Sequence, residues 1–152
     1  MIQGKRLEYA TTFWNQWLLL DKLYSDYARS VGLNALQLGV LDTLLQEETP
    51  WTQKKIAERC SNQKQAVNLV IRSLLENGYV LLQESPTDRR NKIVTLTEAG
   101  RTYARGKVLP FWQAEERALT GMSLEECRQL AEALKLYTEA MTRSLKEGGE
   151  QT

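Results

Sequence analysis

Histidine is absent from all 152 residues, and that absence excludes a broad set of chemistries. Ser-His and Cys-His nucleophilic schemes, imidazole acid-base catalysis and most zinc sites lose their usual residue. An enzyme would have to run on carboxylates or lysines alone, and neither a paired acid and base nor a phosphate-cradling glycine loop stands out. No catalytic, metal or cofactor site is therefore expected. Cysteine is scarce too. Cys60 and Cys127 lie far apart, form no metal-type or redox-type pair, and read as reduced core thiols. Long apolar runs are missing: the longest, Trp17 to Leu20, is far too short to span a bilayer. Behind Lys5 and Arg6, the polar Glu8, Asn15 and Gln16 interrupt the apolar stretch that a signal peptide needs. A cytoplasmic protein with no membrane partner is expected.

What the chain does have is enough apolar material for one domain, with 42% hydrophobic and 26% charged residues. Its net charge of +1 hides a division. Trp51 to Lys107 carries eleven Lys/Arg against five Asp/Glu, whereas the remainder carries nine against fourteen. A basic middle within an acidic frame is the footprint of a localised polyanion-binding surface.

Leu7, Ala10, Trp14, Trp17, Leu20, Leu23, Tyr24, Tyr27 and Val31 recur at helical spacing and predict a helix from about Lys5 to Ser30, stopped by Gly32. Asn34, with Gln37 three residues on, makes a capping box for a second helix whose inner stripe reads Leu36, Val40, Leu41, Leu44 and Leu45. Thr52 caps a short third helix with Ile56, Ala57 and Cys60 inward. Ser61-Asn62 breaks the pattern and is placed to cap a fourth helix, Gln63 to Asn77, which has Ala66, Val67, Val70, Ile71, Leu74 and Leu75 inward and ends at Gly78. Tyr79 to Glu84 and Lys92 to Leu96 read as two strands flanking a charged turn, residues 85–91. Thr97 caps a long helix to about Thr120, which Pro110 should bend. Ser123 and Glu126 form another capping box, followed by the stripe Cys127, Leu130, Ala131, Leu134, Tyr137, Met141 and Leu145. Gly148 to Thr152 should fray.

The fold class that follows is mainly α with a small β-hairpin (α+β): one unit, 1–152, with a winged helix-turn-helix lobe over 34–96 and flanking helices at 1–31 and 97–147. In that arrangement the second helix of the pair enters the DNA major groove, so it needs an apolar back and a hydrogen-bonding front. Gln65, Asn68 and Arg72 follow one helical row, with Gln63 and Lys64 at the leading end. Amides bind adenine in a bidentate way; Lys and Arg take guanine or phosphate. An ordinary solvated face is the competing reading, but such faces usually carry Glu/Lys pairs, not uncharged amides. In the turn between the strands, Asp88, Arg89, Arg90 and Lys92 form the second candidate contact. Adjacent arginines suit a narrow minor groove, and Asp88 can orient one of them by ion pairing.

The run Asp88-Arg89-Arg90-Asn91-Lys92-Ile93-Val94-Thr95-Leu96-Thr97-Glu98-Ala99-Gly100-Arg101 resembles the wing and following helix start of the MarR (multiple antibiotic resistance regulator) family, whose pattern is close to DxRxxxxxLTxxG. Leu74, Gly78, Tyr79, Val80, the Leu109-Pro110 step and the Gly121-Met122-Ser123 break extend the similarity over nearly the whole chain. Ser61-Asn62-Gln63 departs from the family's commoner apolar-Ser turn, which bears on base preference. The resemblance implies a homodimeric regulator, most often a repressor, on a pseudo-palindromic operator of double-stranded DNA. It also implies Arg89 or Arg90 in the minor groove, with Asp88 as its partner. Release by a small aromatic effector is a family habit, and Trp14, Trp17, Tyr24 and Trp112 are the residues here that suit such a pocket, although aromatics at helical spacing also suit plain core. The peroxide-sensing and metal-sensing branches lack their cysteine and histidines in this chain. Independently of family, Trp14, Trp17, Phe111, Trp112, Leu119, Leu134, Tyr137 and Met141 are more large apolar groups than flanking helices can hide alone, which argues for two-fold pairing. The alternative is a winged-helix adaptor that contacts protein or RNA instead of DNA.

Overall fold

In the computed structural model, residues 4–46, 50–85 and 92–149 are described, with side chains to 147. Six helices and one hairpin follow in order: α1 (Lys5–Ser30), α2 (Ala35–Leu45), α3 (Gln53–Arg59), α4 (Lys64–Glu76), β1 (Val80–Glu84), β2 (Lys92–Leu96), α5 (Glu98–Thr120) and α6 (Leu124–Gly149). They form two compact units, Met1–Phe111 and Trp112–Thr152.

Local chemistry sets most of the boundaries. Gly32 adopts φ +78°, and paired bonds from Gly32 N–H to the Arg29 carbonyl (3.0 Å) and Leu33 N–H to that of Ala28 (2.9 Å) close the end of α1. Asn34 and Gln37 exchange both capping-box bonds at 2.9 Å. Ser123 and Glu126 do the same at the start of α6, at 3.2 and 2.7 Å. Four boundaries differ from the sequence reading, the first being the end of α4 at Glu76, with Asn77 its C-cap. Helix α4 begins after Gln63, which as N-cap makes no side-chain bond. Strand β1 begins at Val80, because the Tyr79 N–H still closes α4 on the Leu74 carbonyl at 2.8 Å. Helix α6 runs on through Gly149, past the expected fraying point at Gly148.

The first unit's core is Leu38, Val40, Leu41, Ile56, Val67, Ile71, Val80, Val94, Leu96, Ala104 and Val108. In α2 the expected Val40, Leu41 and Leu44 are buried, but Leu38 and Thr43 take the other buried places, while the expected Leu36 and Leu45 are only half-buried; the Thr43 hydroxyl is satisfied by the Gly39 carbonyl at 2.8 Å. In α4, Leu75 faces out where burial was expected. The hairpin is antiparallel with Val80 opposite Leu96 and Glu84 opposite Lys92. It gains a neighbour that alternation along the strands does not announce: the Trp51 carbonyl accepts the Val94 N–H at 2.8 Å, and Thr52 bridges to Ile93.

One junction fastens α5 to the lobe. The Thr97 N–H donates to the Tyr79 carbonyl (3.0 Å) and its hydroxyl donates to the Gly78 carbonyl (2.8 Å), while the same hydroxyl accepts the Gly100 N–H (3.0 Å). A Cβ on Gly100 would lie 1.8 Å from the Tyr79 carbonyl oxygen, so this close approach requires glycine. Tyr79 and Tyr103 stack at 4.3 Å. Farther along, Lys107 donates to the Val31 carbonyl at the C-terminus of α1 (2.6 Å), a favourable place for a cation. Pro110 cannot donate to the carbonyl four residues back, yet α5 continues through it. The neighbouring Lys107 carbonyl accepts the Tyr27 hydroxyl at 2.6 Å.

Candidate nucleic-acid interface

Helix α3 is short, and three contacts place its start. Thr52 caps it by accepting the Lys55 N–H (3.3 Å), the Trp51 indole donates to the Gln46 carbonyl (2.7 Å), and the Trp51 backbone is held by β2. The turn into α4 is tight. Ser61 sits at φ +47°, uncommon without glycine, and is held by its N–H on the Glu58 carbonyl (3.1 Å) and the Asn62 N–H on that of Ala57 (3.0 Å). Asn62 is not the N-cap of α4; its Oδ1 accepts the next N–H, that of Gln63, at 2.9 Å.

With Val67, Val70, Ile71 and Leu74 buried, α4 must turn the opposite side outward. Gln65, Asn68 and Arg72 do share one open groove of about 610 Å³, together with Gln53, Leu69, Ile71, Leu75 and Leu82. Gln63 and Lys64 are exposed at the leading end of α4, and Lys92 is exposed at the start of β2. Asp88, Arg89 and Arg90 lie outside the described residues. Sequence reasoning had not singled out Gln53 or Leu69. The signal for Leu69 was present, since an apolar residue falls between Gln65 and Arg72 on the polar side of the helix.

Asn68 is less available than its place in the row suggests. The residue is half-buried, and its Oδ1 is shielded from solvent with no hydrogen-bond partner among the described residues. A buried unsatisfied carbonyl costs about 1–3 kcal/mol. Bidentate adenine recognition needs that acceptor together with the amide N–H, so the side chain must rotate outward to use both.

The aromatic candidates separate. Trp14 and Trp17 are about half exposed on α1, packed on Phe13 with centroids 5.6 and 6.4 Å apart. Tyr24 instead lines a cleft of about 300 Å³ with Asp21, Leu36, Gly39, Asp42, Thr43, Arg59, Cys60 and Asn62, and neither tryptophan borders it. Trp112 belongs to the second unit. Burial, reinforced by Asp42 and then Cys60, pushes the Tyr24 phenol up to about 12, so it stays protonated and able to donate. Burial also raises the Cys60 thiol, against a lowering bond from Thr43, so it is a poor thiolate. Among the described residues no His/Cys/Asp/Glu cluster of metal-holding size occurs, and no helix is long and apolar enough to cross a membrane.

The arrangement has close relatives. The MarR family model matches residues 31–91. The chain is 31% identical over 105 residues to the uncharacterised HTH-type transcriptional regulator YkoM of Bacillus subtilis, covering 68% of this chain and 67% of that protein. The MarR family regulator NMB1585 from Neisseria meningitidis superposes with a TM-score of 0.79 at 27% identity, over 95% of this chain and 99% of the other. MepR from S. aureus, solved in a complex with DNA, shares the fold with a TM-score of 0.67 at 19% identity, over 87% of this chain and 97% of its own. From the lobe's helix-turn-helix, its hairpin and these likenesses, the chain belongs to the MarR family of winged helix-turn-helix, DNA-binding transcriptional regulators.

Proposed function

We propose that this regulator is a homodimeric repressor that reads a pseudo-palindromic operator. Gln65, Asn68 and Arg72 enter the major groove, Gln63 and Lys64 meet it at the leading end of α4, and Lys92 with the Asp88-Arg89-Arg90 segment meets flanking DNA. The observation that carries this reading is the open groove that Gln65, Asn68 and Arg72 share on the side of α4 opposite its buried residues. Pairing is supported by apolar faces that a lone chain leaves bare: Leu7, Trp14, Trp17, Leu18 and Leu20 on α1, and Leu130, Leu134 and Leu145 on α6. A two-fold dimer sets its recognition helices one DNA turn apart, roughly 34 Å. Occupying an operator that overlaps a promoter then blocks transcription without further contacts.

An effector fits the Tyr24 cleft, which joins α1 and α2 to Asn62 in the turn leading into α4. Asp21 and Asp42 outnumber the one cation there, Arg59, and oppose an aromatic carboxylate, so a neutral phenol that accepts from the Tyr24 hydroxyl suits the site better than an aromatic acid.

Selection of duplexes from a random pool by the full chain, alongside light scattering, tests the central reading. The expected result is a particle of twice 17.4 kDa that enriches an inverted repeat. Gln65→Ala and Asn68→Ala should each relax preference at one base pair per half-site by about 1–3 kcal/mol. A 17.4 kDa particle, or no enrichment, refutes it. Binding to RNA without duplex enrichment would favour the adaptor role.

A further inference from the structure

Leu69 is 66% exposed, more than the outward-facing Leu75, and sits among the polar residues of the α4 row. It lies four residues from Gln65 and three from Arg72, which places these two beside it on α4, and Asn68 adjoins the same two residues at three and four residues' distance. All four line the same groove. Isolated exposed leucines are ordinary on protein surfaces. This one is different in its surroundings, because Gln65 and Arg72, hydrogen-bonding groups with a natural use in the major groove, flank it. A major-groove surface offers one apolar group for a leucine to meet, the 5-methyl of thymine, which also distinguishes A·T from T·A. The neighbours agree with that partner. Gln65 and, once rotated outward, Asn68 carry amides suited to adenine, and an A·T pair presents the adenine edge and the thymine methyl side by side.

Resting on the reading of α4 as the DNA-recognition helix, we propose that Leu69 is a specificity-determining residue that packs on a thymine methyl in each half-site. Gln65 and Asn68 then read adenine on the same or the adjoining pair, and the core of each half-site contains A·T at a fixed position and orientation.

Uracil lacks only that methyl, so it isolates the contact. The duplex enriched from the random pool is resynthesised with each thymine in turn replaced by deoxyuridine, and affinity for the full chain is read by fluorescence anisotropy. Removing one buried methyl should weaken binding about fourfold, and removing the equivalent pair about fifteenfold. Leu69→Ala should bind the parent duplex less tightly by a similar factor, lose its sensitivity at that position alone, and match the wild-type chain on the uracil duplex. Leu69→Met should keep the sensitivity. If no uracil position affects the wild-type chain, or if Leu69→Ala keeps the wild-type pattern, the inference fails while the DNA-binding reading stands. If the pool yields no enriched duplex at all, both fail together.

Discussion

The helix-turn-helix lobe and the last helix of the chain are built on opposite terms. From α2 to β2 every element contributes fully buried side chains, among them Leu41, Ile56, Ile71 and Val80. Helix α6 contributes none among its described residues, although its apolar positions recur at helical spacing along most of its length. The N-terminal two-thirds of α1 resembles α6 in this respect, since only Ala28, near its end, is fully buried. A single chain therefore completes one core and leaves another surface bare. Burial of apolar area is the dominant favourable term in folding and association alike, so in the proposed dimer the bare faces are where a second copy would contribute and the lobe is where it would not be needed. Stability of the lobe should then be a property of the chain, and stability of α6 a property of its concentration.

The sharpest way to damage the first half of that contrast is Gly100→Ala. The added Cβ would fall 1.8 Å from the Tyr79 carbonyl oxygen. That oxygen cannot yield easily, because it accepts the Thr97 N–H while the Tyr79 ring stacks on Tyr103. Either α5 or the α4–β1 connection must move, at a cost of about 3 kcal/mol or more. Calorimetry should show a fall in melting temperature of roughly 6–12 °C, similar at low and high protein concentration. A loss under 1 kcal/mol would mean that the junction is looser than its geometry.

The same glycine illustrates how much was legible in the chain. Caps and stops that rest on neighbours in sequence were readable: Asn34 with Gln37, Thr52, Thr97 and Ser123 with Glu126 all hold their helices as their spacing implies. Gly100 was visible only as part of a family pattern, because its reason is a backbone atom on another element. The strand-like partner at Trp51 was hidden for the same reason, as its hydrogen bond joins residues far apart in sequence. Periodicity placed Gln65 and Arg72 on one face but could not tell that Asn68 turns its carbonyl inward. Nor could it separate Leu38 from Leu36, which stand on either side of the same helical stripe.

The second half of the contrast is tested on α6. Leu134→Asp places a charge in the exposed apolar stripe, where the lone chain has no core to disrupt. The expected outcome is dissociation, with affinity between chains reduced by 10-fold or more because a two-fold interface counts the change twice. Leu41→Ala is the matched control in the lobe. It should cost about 2–5 kcal/mol of folding stability and leave the dimer's dissociation constant unchanged wherever the chain is folded. Light scattering over a dilution series separates the two. If Leu134→Asp leaves the particle mass unaltered, the stripe on α6 is not the interface.

The smallest expected effect lies at Gly39, where the lobe meets the Tyr24 cleft. Glycine in a helix interior costs about 1 kcal/mol relative to alanine, and a Cβ there would meet only the Tyr24 hydroxyl at 3.5 Å and the Cys60 sulfur at 3.7 Å, ordinary contact distances. Gly39→Ala should therefore stabilise the first unit by about 0.5–1 kcal/mol. The gain does not come free of function if the cleft is an effector site. A methyl group against the Tyr24 hydroxyl narrows a space of about 300 Å³, already at the small end for ligand pockets. A panel of neutral phenols that release DNA from the wild-type chain should then release it less readily from the variant, while DNA affinity without effector stays the same. The two readouts move in opposite directions only if stability and effector binding meet at this residue. If Gly39→Ala is stabilised and released from DNA as readily as wild type, the glycine was tolerated for no purpose at this cleft, and the effector reading moves elsewhere. A destabilised variant would instead show that the α2 packing around Thr43 and Cys60 has less room than the contact distances allow.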